Sequence, residues 1–303
     1  WFLGDFRMAQ ALPTRSVVYE GPMNNTAIWE RFDLRPDDIL VVTPPKCGTT
    51  WTQIIVTSII QGRSLGDTEM GQFSKWLDCG FRDRDEIAAF LDGMTVRRCI
   101  KSHSPLDGIT YDPRCTYFAV YRHPIDVHFS MRKHNENMTL DMLNDRYPDD
   151  IHEGFRLFLE DELFNGATDA MDLHSIIHHY KTFKRWEHLP NVHLLHYADM
   201  TADLDGQVRR IAGIMGHDRD DPRLDEIING STFASVKAKA IEDAKRSSGG
   251  IFLKPEEFFQ SGTSNKWVGK LTDAEIEAFG ARMKELLPED QAAWLLWGAK
   301  GRA

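Results

Sequence analysis

The chain has 303 residues, of which 42% are hydrophobic and 27% are charged. These fractions are typical of a globular enzyme and are too apolar for a disordered chain. The balance of 36 Lys and Arg against 46 Asp and Glu gives a formal charge of −10, which argues against nucleic acid or a long polyanion as partner. We therefore expect a small-molecule partner.

Three features predict where the protein works and how it is organised. Four cysteines without a C-x-x-C pair are typical of reduced thiols, which predicts a cytoplasmic protein. No apolar run approaches the roughly 18 residues of a membrane helix, so no membrane contact is expected. Residues 1–7 precede Met8, which we expect to be the native start, and no linker divides residues 8–303. These residues are predicted to form a single domain.

The pattern of apolar residues predicts an α/β fold. Residues 38–43 form a short apolar, β-branched run between prolines, which is typical of a buried parallel strand. A helix is predicted at residues 51–62, where a glycine ends it. Further strands are predicted at 98–101, 117–121 and 192–196, and further helices at 126–134, 149–163, 176–188, 204–215 and 273–287. We expect a central parallel sheet flanked by helices.

The loop after the first strand, Thr-Pro-Pro-Lys-Cys-Gly-Thr-Thr-Trp at residues 43–51, is suited to an anion. Gly48 permits a tight turn, and the following helix offers unpaired N–H groups at its N-terminus. Thr49 and Thr50 add hydroxyls, and Lys46 adds a charge. The lysine precedes the glycine and no Gly-Lys-Ser/Thr follows, so this P-loop-like segment is not a Walker A loop. The alternative is an ordinary strand-to-helix turn with capping threonines.

Two further segments carry polar residues at predicted strand ends. In residues 121–130, Arg122 and Ser130 are eight positions apart and could converge on one anion, although a surface ion pair is an equal alternative. His103 follows the strand at 98–101. Ligands of open α/β sheets lie at the carboxyl ends of the strands, so His103 is a candidate general base. A single histidine is otherwise more often structural.

Together and in this order, these segments resemble the cytosolic-type sulfotransferase family, which is dependent on 3′-phosphoadenosine 5′-phosphosulfate (PAPS). The family signature reads Pro-Lys-Ser-Gly-Thr-Thr-Trp, then Lys-Thr-His, then Arg-x-Pro-x-Asp-x-x-x-Ser, and finally a glycine-containing loop with a tryptophan. The matching segments here are residues 45–51, 101–103, 122–130 and 258–267. The resemblance implies transfer of a sulfuryl group from PAPS to a hydroxyl or amine of a small, apolar acceptor, without a metal.

The resemblance also assigns roles to individual residues. Lys46 and the next four residues would hold the 5′-phosphosulfate, Trp51 would stack on adenine, and Arg122 and Ser130 would hold the 3′-phosphate. His103 would take the acceptor proton. The implied donor site consists of Lys46, Cys47, Gly48, Thr49, Thr50, Trp51, Arg122, Ser130, Tyr197, Ser231, Thr232, Phe233, Gln260, Ser261 and Gly262.

The chemistry explains two of these residue types. Sulfuryl transfer resembles phosphoryl transfer in having a loose in-line transition state, so positioning and charge stabilisation dominate. Lys46 suits the bridging oxygen, and Lys101 lies on the same strand face as His103 and could assist. The aromatic residues Phe73, Trp76 and Phe81 stand where the family lines its acceptor pocket, with a role in the core as the equal alternative.

Several positions depart from the family pattern. Cys47 replaces a serine, and Gln260 and Ser261 replace an Arg-Lys pair that grips the 3′-phosphate. We expect Lys254, Lys266 or Arg246 to replace the lost charge. The C-terminal dimer motif fails at two of its four positions, so no dimer is predicted from it. The alternative functions are a catalytically silent nucleotide-binding homologue and, less favoured, a P-loop-like phosphotransferase.

Overall fold

The computed structural model describes residues 11–139, 147–160, 171–246, 252–254, 257–259 and 262–302. Residues 1–7, predicted to precede the native start, lie outside this part of the chain. Gln260 and Ser261, the positions of the missing Arg-Lys pair, also lie outside it, as does the side chain of Arg246.

Five parallel strands form one sheet with the order β2-β3-β1-β4-β5. The strands are β1 (Ile39–Val42), β2 (Ser74–Trp76), β3 (Cys99–Ser102), β4 (Thr116–Tyr121) and β5 (Val192–His196). In the register of the sheet, Val42 at the end of β1 stands beside Ser102 and Ala119. The loops after β1, β3 and β4 therefore all leave the sheet on the same side, at the carboxyl ends of the strands. The predicted α/β fold with a central parallel sheet is confirmed.

Helices cover both faces of the sheet. They are α1 (Thr49–Gln61), α2 (Asp67–Met70), α3 (Arg84–Gly93), α4 (Pro124–Glu136), α5 (Ile151–Glu160), α6 (Leu173–Lys184), α7 (Tyr197–Ala202), α8 (Leu204–Ile214), α9 (Arg223–Gly230), α10 (Phe233–Arg246), α11 (Asp273–Leu286) and α12 (Glu289–Trp297). Side chains of β1 alternate between two apolar clusters: Leu40 packs towards α6 and α12, and Val41 packs towards α1 and α8.

The unit that opens the fold is built from β1 and α1. Every residue of β1 is buried, as its apolar sequence predicts. Helix α1 begins at Thr49, two residues earlier than predicted, because Gly48 acts as its N-cap with a left-handed φ of 104°. The helix ends before Gly62, whose φ of 65° closes the last turn.

Several elements lacked a usable sequence signal. Strand β2 has three residues and too little apolar alternation to be recognised. Helices α2, α3, α7, α9, α10 and α12 were not predicted, and the last turn predicted for α5 lies outside the described residues. Within the described ranges, no helix combines the length and the apolar character that a membrane span requires.

Candidate active site

A cavity of about 730 Å³ lies at the edge of the sheet where β1, β3 and β4 end. It collects residues that are up to 243 positions apart in the chain, from Met23 to Lys266. Most of the site residues predicted from the sequence line it: Lys46, Gly48, Thr49, Thr50, Trp51, Trp76, Phe81, Lys101, His103, Arg122, Ser130, Tyr197, Phe233 and Gly262.

The loop between β1 and α1 has a fixed, partly left-handed backbone. Lys46 has a φ of 65° and Gly48 a φ of 104°. A Cβ at Gly48 would lie 3.1 Å from the Tyr197 ring, so glycine provides both the conformation and the space. The hydroxyls of Thr43 and Thr49 form a hydrogen bond across the loop. Thr49, Thr50 and Trp51 line the cavity, so the first turn of α1, whose N–H groups have no partner within the helix, borders it.

Six Lys and Arg side chains line the cavity, and four of them, Lys46, Lys101, Arg122 and Lys266, form a cluster around Lys46. Burial, reinforced by the charges of the other three, lowers the pKa of Lys46 to about 7. Burial lowers the pKa of Lys101 to about 8. Within the described ranges, no carboxylate forms an ion pair with any of the four. A buried cluster of cations is costly unless an anion joins it, so the cavity fits a polyanionic ligand.

Arg122 shows this fit most directly. Its side chain is buried, with its guanidinium 4.4 Å from the centre of the Tyr197 ring. Its hydrogen bonds go to the carbonyl oxygens of Lys46, at 3.5 Å, and Thr263, at 3.0 Å. Its Nε is buried without a hydrogen-bond partner in the described part of the chain. The alternative of a surface ion pair is therefore wrong for Arg122.

Aromatic side chains line the cavity near the start of α1. Trp51 donates from Nε1 to the carbonyl oxygen of Ser231 at 2.7 Å, and its ring lies 5.5 Å from that of Tyr197. The Tyr197 hydroxyl donates to the carbonyl oxygen of Gly262 at 3.2 Å. A Cβ at Gly262 would come within 2.6 Å of Phe233. These contacts bring together the loop and helix segments that the family motifs predict.

His103 lies beside the cation cluster with a defined tautomer. Its Nδ1 is 2.7 Å from the carbonyl oxygen of Thr43, which can only accept, so Nδ1 carries the proton. In the neutral ring, Nε2 then carries no proton and has a free lone pair. Burial, followed by the nearby charge of Lys101, lowers the pKa of His103 well below its ordinary value. The histidine is therefore in the form that a general base requires.

The wall next to His103 is aromatic. The ring of Trp76 lies 4.8 Å from His103 and 5.5 Å from Phe81, in edge-to-face contacts. The Lys101 ammonium lies 4.3 Å from the Trp76 ring. Trp76 also donates from Nε1 to the buried carboxylate of Asp78 at 2.9 Å.

Asp78 connects this wall to the strand that precedes His103. Besides Trp76, the carboxylate accepts hydrogen bonds from Trp29 Nε1 and from the hydroxyls of Ser102 and Ser104. Burial raises the pKa of Asp78 although these hydrogen bonds oppose the shift. Sequence reasoning missed Asp78, because an aspartate in an unrecognised edge segment gives no pattern.

Four predicted residues do not line the cavity. Cys47 is fully buried in the core, Phe73 lies in the turn before β2, and Thr232 bonds through its hydroxyl to Asn229 and Ser235. Ser231 contributes only its carbonyl oxygen, to Trp51. The described residues hold no cluster of three His, Cys, Asp or Glu side chains suited to a metal ion.

Two further cavity residues were missed or only weakly indicated. Lys266 was one of three expected replacements for the lost cation, and it lines the cavity. His134 was not predicted at all, yet its Nδ1 lies 3.2 Å from Lys46 Nζ. It stands four residues after Ser130 on α4, so helical spacing from a predicted site residue was the available signal.

Comparison with known proteins agrees with this arrangement. Residues 36–290 match the family model described as the sulfotransferase domain, and the chain belongs to that family. It is an enzyme of the sulfotransferase class. A glycolipid sulfotransferase of Mycobacterium bovis is 31% identical over 95% of this chain and 96% of its own length. Human sulfotransferase 1C2 is 25% identical over 87% of this chain and 88% of its own length.

Solved structures have the same fold. Mouse sulfotransferase SULT7A1, complexed with PAP, is 20% identical and superposes with a TM-score of 0.69 over 89% of this chain and 91% of its own. Retinol dehydratase, in complex with androsterone and PAP, is 21% identical and has a TM-score of 0.70 over 87% of this chain and 84% of its own.

Proposed function

We propose that this sulfotransferase moves a sulfuryl group from PAPS to the hydroxyl or amine of a small, apolar acceptor, with His103 as general base. One observation carries the proposal: the unprotonated Nε2 of His103 shares a cavity with the cation-lined loop at Lys46. An acceptor proton and a transferable anionic group could thus be handled side by side.

Two separate sets of cavity residues are proposed to bind the two anionic ends of PAPS. Lys46, the N–H groups that begin α1 and the hydroxyls of Thr49 and Thr50 would hold the 5′-phosphosulfate. Arg122, in the turn after β4, and Ser130, within α4, would hold the 3′-phosphate. The PAP complexes of SULT7A1 and retinol dehydratase support this choice of donor. When bound, the donor supplies the sulfuryl group, and no metal is required from the protein.

Lys266 is proposed as the third cation of the 3′-phosphate site. It lines the cavity, and its pKa is lowered first by burial and next by the charge of Arg122. Lys254, by contrast, pairs with Glu257 at 2.9 Å on the exposed surface. Lys266 therefore replaces the Arg-Lys pair of the family better than Lys254 does.

Each group near the acceptor has a separate task. His103 takes the acceptor proton at Nε2, while its Nδ1–H stays on the carbonyl oxygen of Thr43. Lys46 places its charge where the bridging oxygen becomes negative. Lys101 places a second positive charge beside the Trp76 ring, where it helps to stabilise negative charge in the same part of the cavity.

The acceptor is proposed to lie against Trp76 and Phe81. Their edge-to-face packing gives an apolar wall next to His103, which favours a small, apolar molecule. The mycobacterial relatives are named glycolipid sulfotransferases, so a hydroxyl on a glycolipid is a second acceptor candidate. The buried, unpaired cysteines support the proposal of a reducing compartment such as the cytoplasm.

The test is transfer from PAPS to a panel of phenols, steroids, aliphatic alcohols, amines and glycolipids. For an accepted alcohol, His103→Ala should lower turnover by roughly 10²–10⁴-fold while leaving PAP affinity nearly unchanged. His188→Ala, at an exposed histidine, is the control and should retain full activity. Near-normal turnover of His103→Ala with an alcohol of ordinary acidity would contradict the role of this residue.

A further inference from the structure

His134 touches the lysine that is proposed to act on the donor, and no role above depends on it. It lies in the last turn of α4 (Pro124–Glu136), one turn beyond Ser130, and both side chains line the cavity. Its Nδ1 is 3.2 Å from Nζ of Lys46, which comes from the loop after β1.

Only one assignment of donor and acceptor is possible in the hydrogen bond between Lys46 and His134. The ammonium of a lysine can only donate, so Nδ1 of His134 accepts, and the ring proton is on Nε2. Burial, with the charges of Lys46 and Lys101 next, lowers the pKa of His134 far below its ordinary value. His134 is therefore a neutral acceptor that holds Lys46 without cancelling its charge.

Aromatic contacts fix the ring that accepts this hydrogen bond. The His134 ring lies 5.2 Å from Phe252 and 5.7 Å from Phe258. The Lys46 ammonium lies 4.8 Å from the centre of the Phe258 ring, which gives it a second favourable contact. His134 and Phe258 thus form a seat for the end of the lysine side chain.

The other charged groups that face Lys46 are the cations Lys101, Arg122 and Lys266, and all three lower its pKa. Within the described ranges, His134 is the one hydrogen-bond partner of Nζ. An ammonium has three N–H groups, so a bond to His134 leaves two for an anion in the cavity. The bond therefore orients Lys46 without blocking it.

We propose that His134 is a positioning residue that fixes the ammonium of Lys46 in its reactive orientation. The backbone of Lys46 is set by the loop, but its long side chain otherwise has freedom that would have to be lost in each turnover. The inference rests on the proposed function, because it assumes that Lys46 acts on the donor.

Two variants separate the acceptor atom from the ring. His134→Phe keeps the aromatic packing and removes the acceptor, whereas His134→Asn keeps an acceptor near the position of Nδ1. We expect His134→Phe to lower kcat by about 10-fold to 100-fold with a smaller change in the KM for PAPS. His134→Asn should recover most of the loss. Equal kcat in both variants would overturn the proposal.

A second readout needs no donor and no turnover. In the ligand-free protein, acetylation of Lys46 by acetic anhydride is followed across pH by peptide mass spectrometry, with the exposed Lys181 as internal reference. Loss of the acceptor in His134→Phe should lower the pKa of Lys46, and His134→Asn should restore it. A titration of Lys46 that is the same in all three proteins would overturn the proposal.

Lys46→Ala distinguishes this inference from the proposed function. If Lys46→Ala retains turnover, the role of Lys46 in the proposed function is wrong. If Lys46→Ala abolishes turnover while His134→Phe behaves as the unaltered protein, only the inference fails. In a Lys46→Ala background with measurable residual activity, adding His134→Phe should cause no further loss, and a full additional loss would show that His134 acts independently. PAP binding checks that each variant keeps a folded donor site.

Discussion

The two walls of the cavity are built in different ways. The donor wall, which consists of Lys46, residues 48–51, Arg122 and Tyr197, follows the ends of the central strands β1 and β4 and of β5, the edge strand opposite β2. The acceptor wall, which consists of Trp76, Phe81 and Phe90, grows from edge strand β2 and from α3. Arg122 is 6% exposed, whereas Phe90 is 42% exposed. Thr49, Arg122 and Tyr197 of the donor wall are thus buried, whereas Trp76 and Phe81 of the acceptor wall are half-buried and Phe90 is exposed.

This difference separates the two kinds of recognition. Charges on the donor wall are buried, so each contact with an anion is strong and its loss is costly. The acceptor wall offers apolar rings. Their contribution to the binding free energy grows with the contact area and depends little on geometry. We therefore expect mutations on the donor wall to change binding strongly and mutations on the acceptor wall to change selectivity.

Arg122→Ala should give the largest effect of the changes considered below. Loss of a buried, charge-assisted contact should cost about 1.5–3 kcal/mol, which is roughly a 10-fold to 100-fold loss of PAP affinity. The affinity for adenosine 5′-monophosphate, which lacks the 3′-phosphate, should change little. Arg185→Ala, at an exposed arginine, is the control. Equal weakening of both nucleotides would show that Arg122 does not read the 3′-phosphate.

The pH profile should also distinguish the walls. Burial and neighbouring cations lower the pKa of Lys46 to about 7, so Lys46 loses its charge as the pH rises above that value. The kcat/KM for PAPS, which reports the free enzyme, should fall above about pH 7 by up to roughly tenfold per pH unit. His103 has a lowered pKa and should remain an active base below pH 6.5.

Lys46→Arg tests whether loss of the Lys46 charge causes the fall in kcat/KM above about pH 7, which is the basic limb of the profile. A guanidinium stays charged throughout this range, so the residual activity of the variant should lose the limb near pH 7. Lys101, with a pKa of about 8, would then set the next loss of charge in the cavity. An unchanged limb in Lys46→Arg would assign it to another group.

Lys266→Ala should weaken PAP binding by about tenfold, because it removes one half-buried charge that lines the cavity near Arg122. Lys254→Ala is the matched control, since Lys254 lies on the surface and pairs with Glu257. Isothermal calorimetry on both variants measures the difference. If neither variant weakens binding and Gln260→Arg strengthens it, the replacement of the Arg-Lys pair by Lys266 is refuted.

Trp76→Ala should have the smallest effect on the donor, with PAP affinity changed by less than about threefold. The relative rates across the acceptor panel should shift, because the ring forms the wall beside His103. Phe73→Ala is the comparison variant, as Phe73 does not line the cavity. Unchanged relative rates in Trp76→Ala would assign Trp76 to structural packing.

The sequence was informative where local pattern and fold coincide. Strand β1 and helix α1 are visible because an apolar run, a glycine turn and a helical period follow one another. Strand β2 is invisible, because three residues at a sheet edge are held by pairing with β3 rather than by their own pattern. Helix α10 lies in a mixed segment whose packing on α2 and α9 decides its structure.

The same distinction, between features set by local sequence and features set by the folded structure, applies to the site. The loop at Lys46 and the turn at Arg122 were predictable, because anion binding requires particular residue types at a strand end. The Lys46–His134 contact joins residues 88 positions apart and depends on the way α4 crosses the cavity. Asp78 was equally inaccessible, since its role arises from four donors that only the folded sheet assembles.

Among the described strands, β2 pairs with β3 alone, so Trp76 stands on an edge strand of the sheet. Residues 70–93 can therefore be regarded as a cassette whose cavity-facing side chains are exchangeable: a related chain could replace Trp76, Phe81 and Phe90 while keeping the side chains that pack on the core. Three constraints tie this segment to the rest of the fold. The hydrogen bonds of Asp78 to Ser102 and Ser104 must be kept for the strand end before His103, Ser74 must accept from Gln53, and Leu77 and Leu91 must keep their places in the core. Acceptor range could then diversify, in nature or by design, while the sulfuryl-transfer machinery stays unchanged.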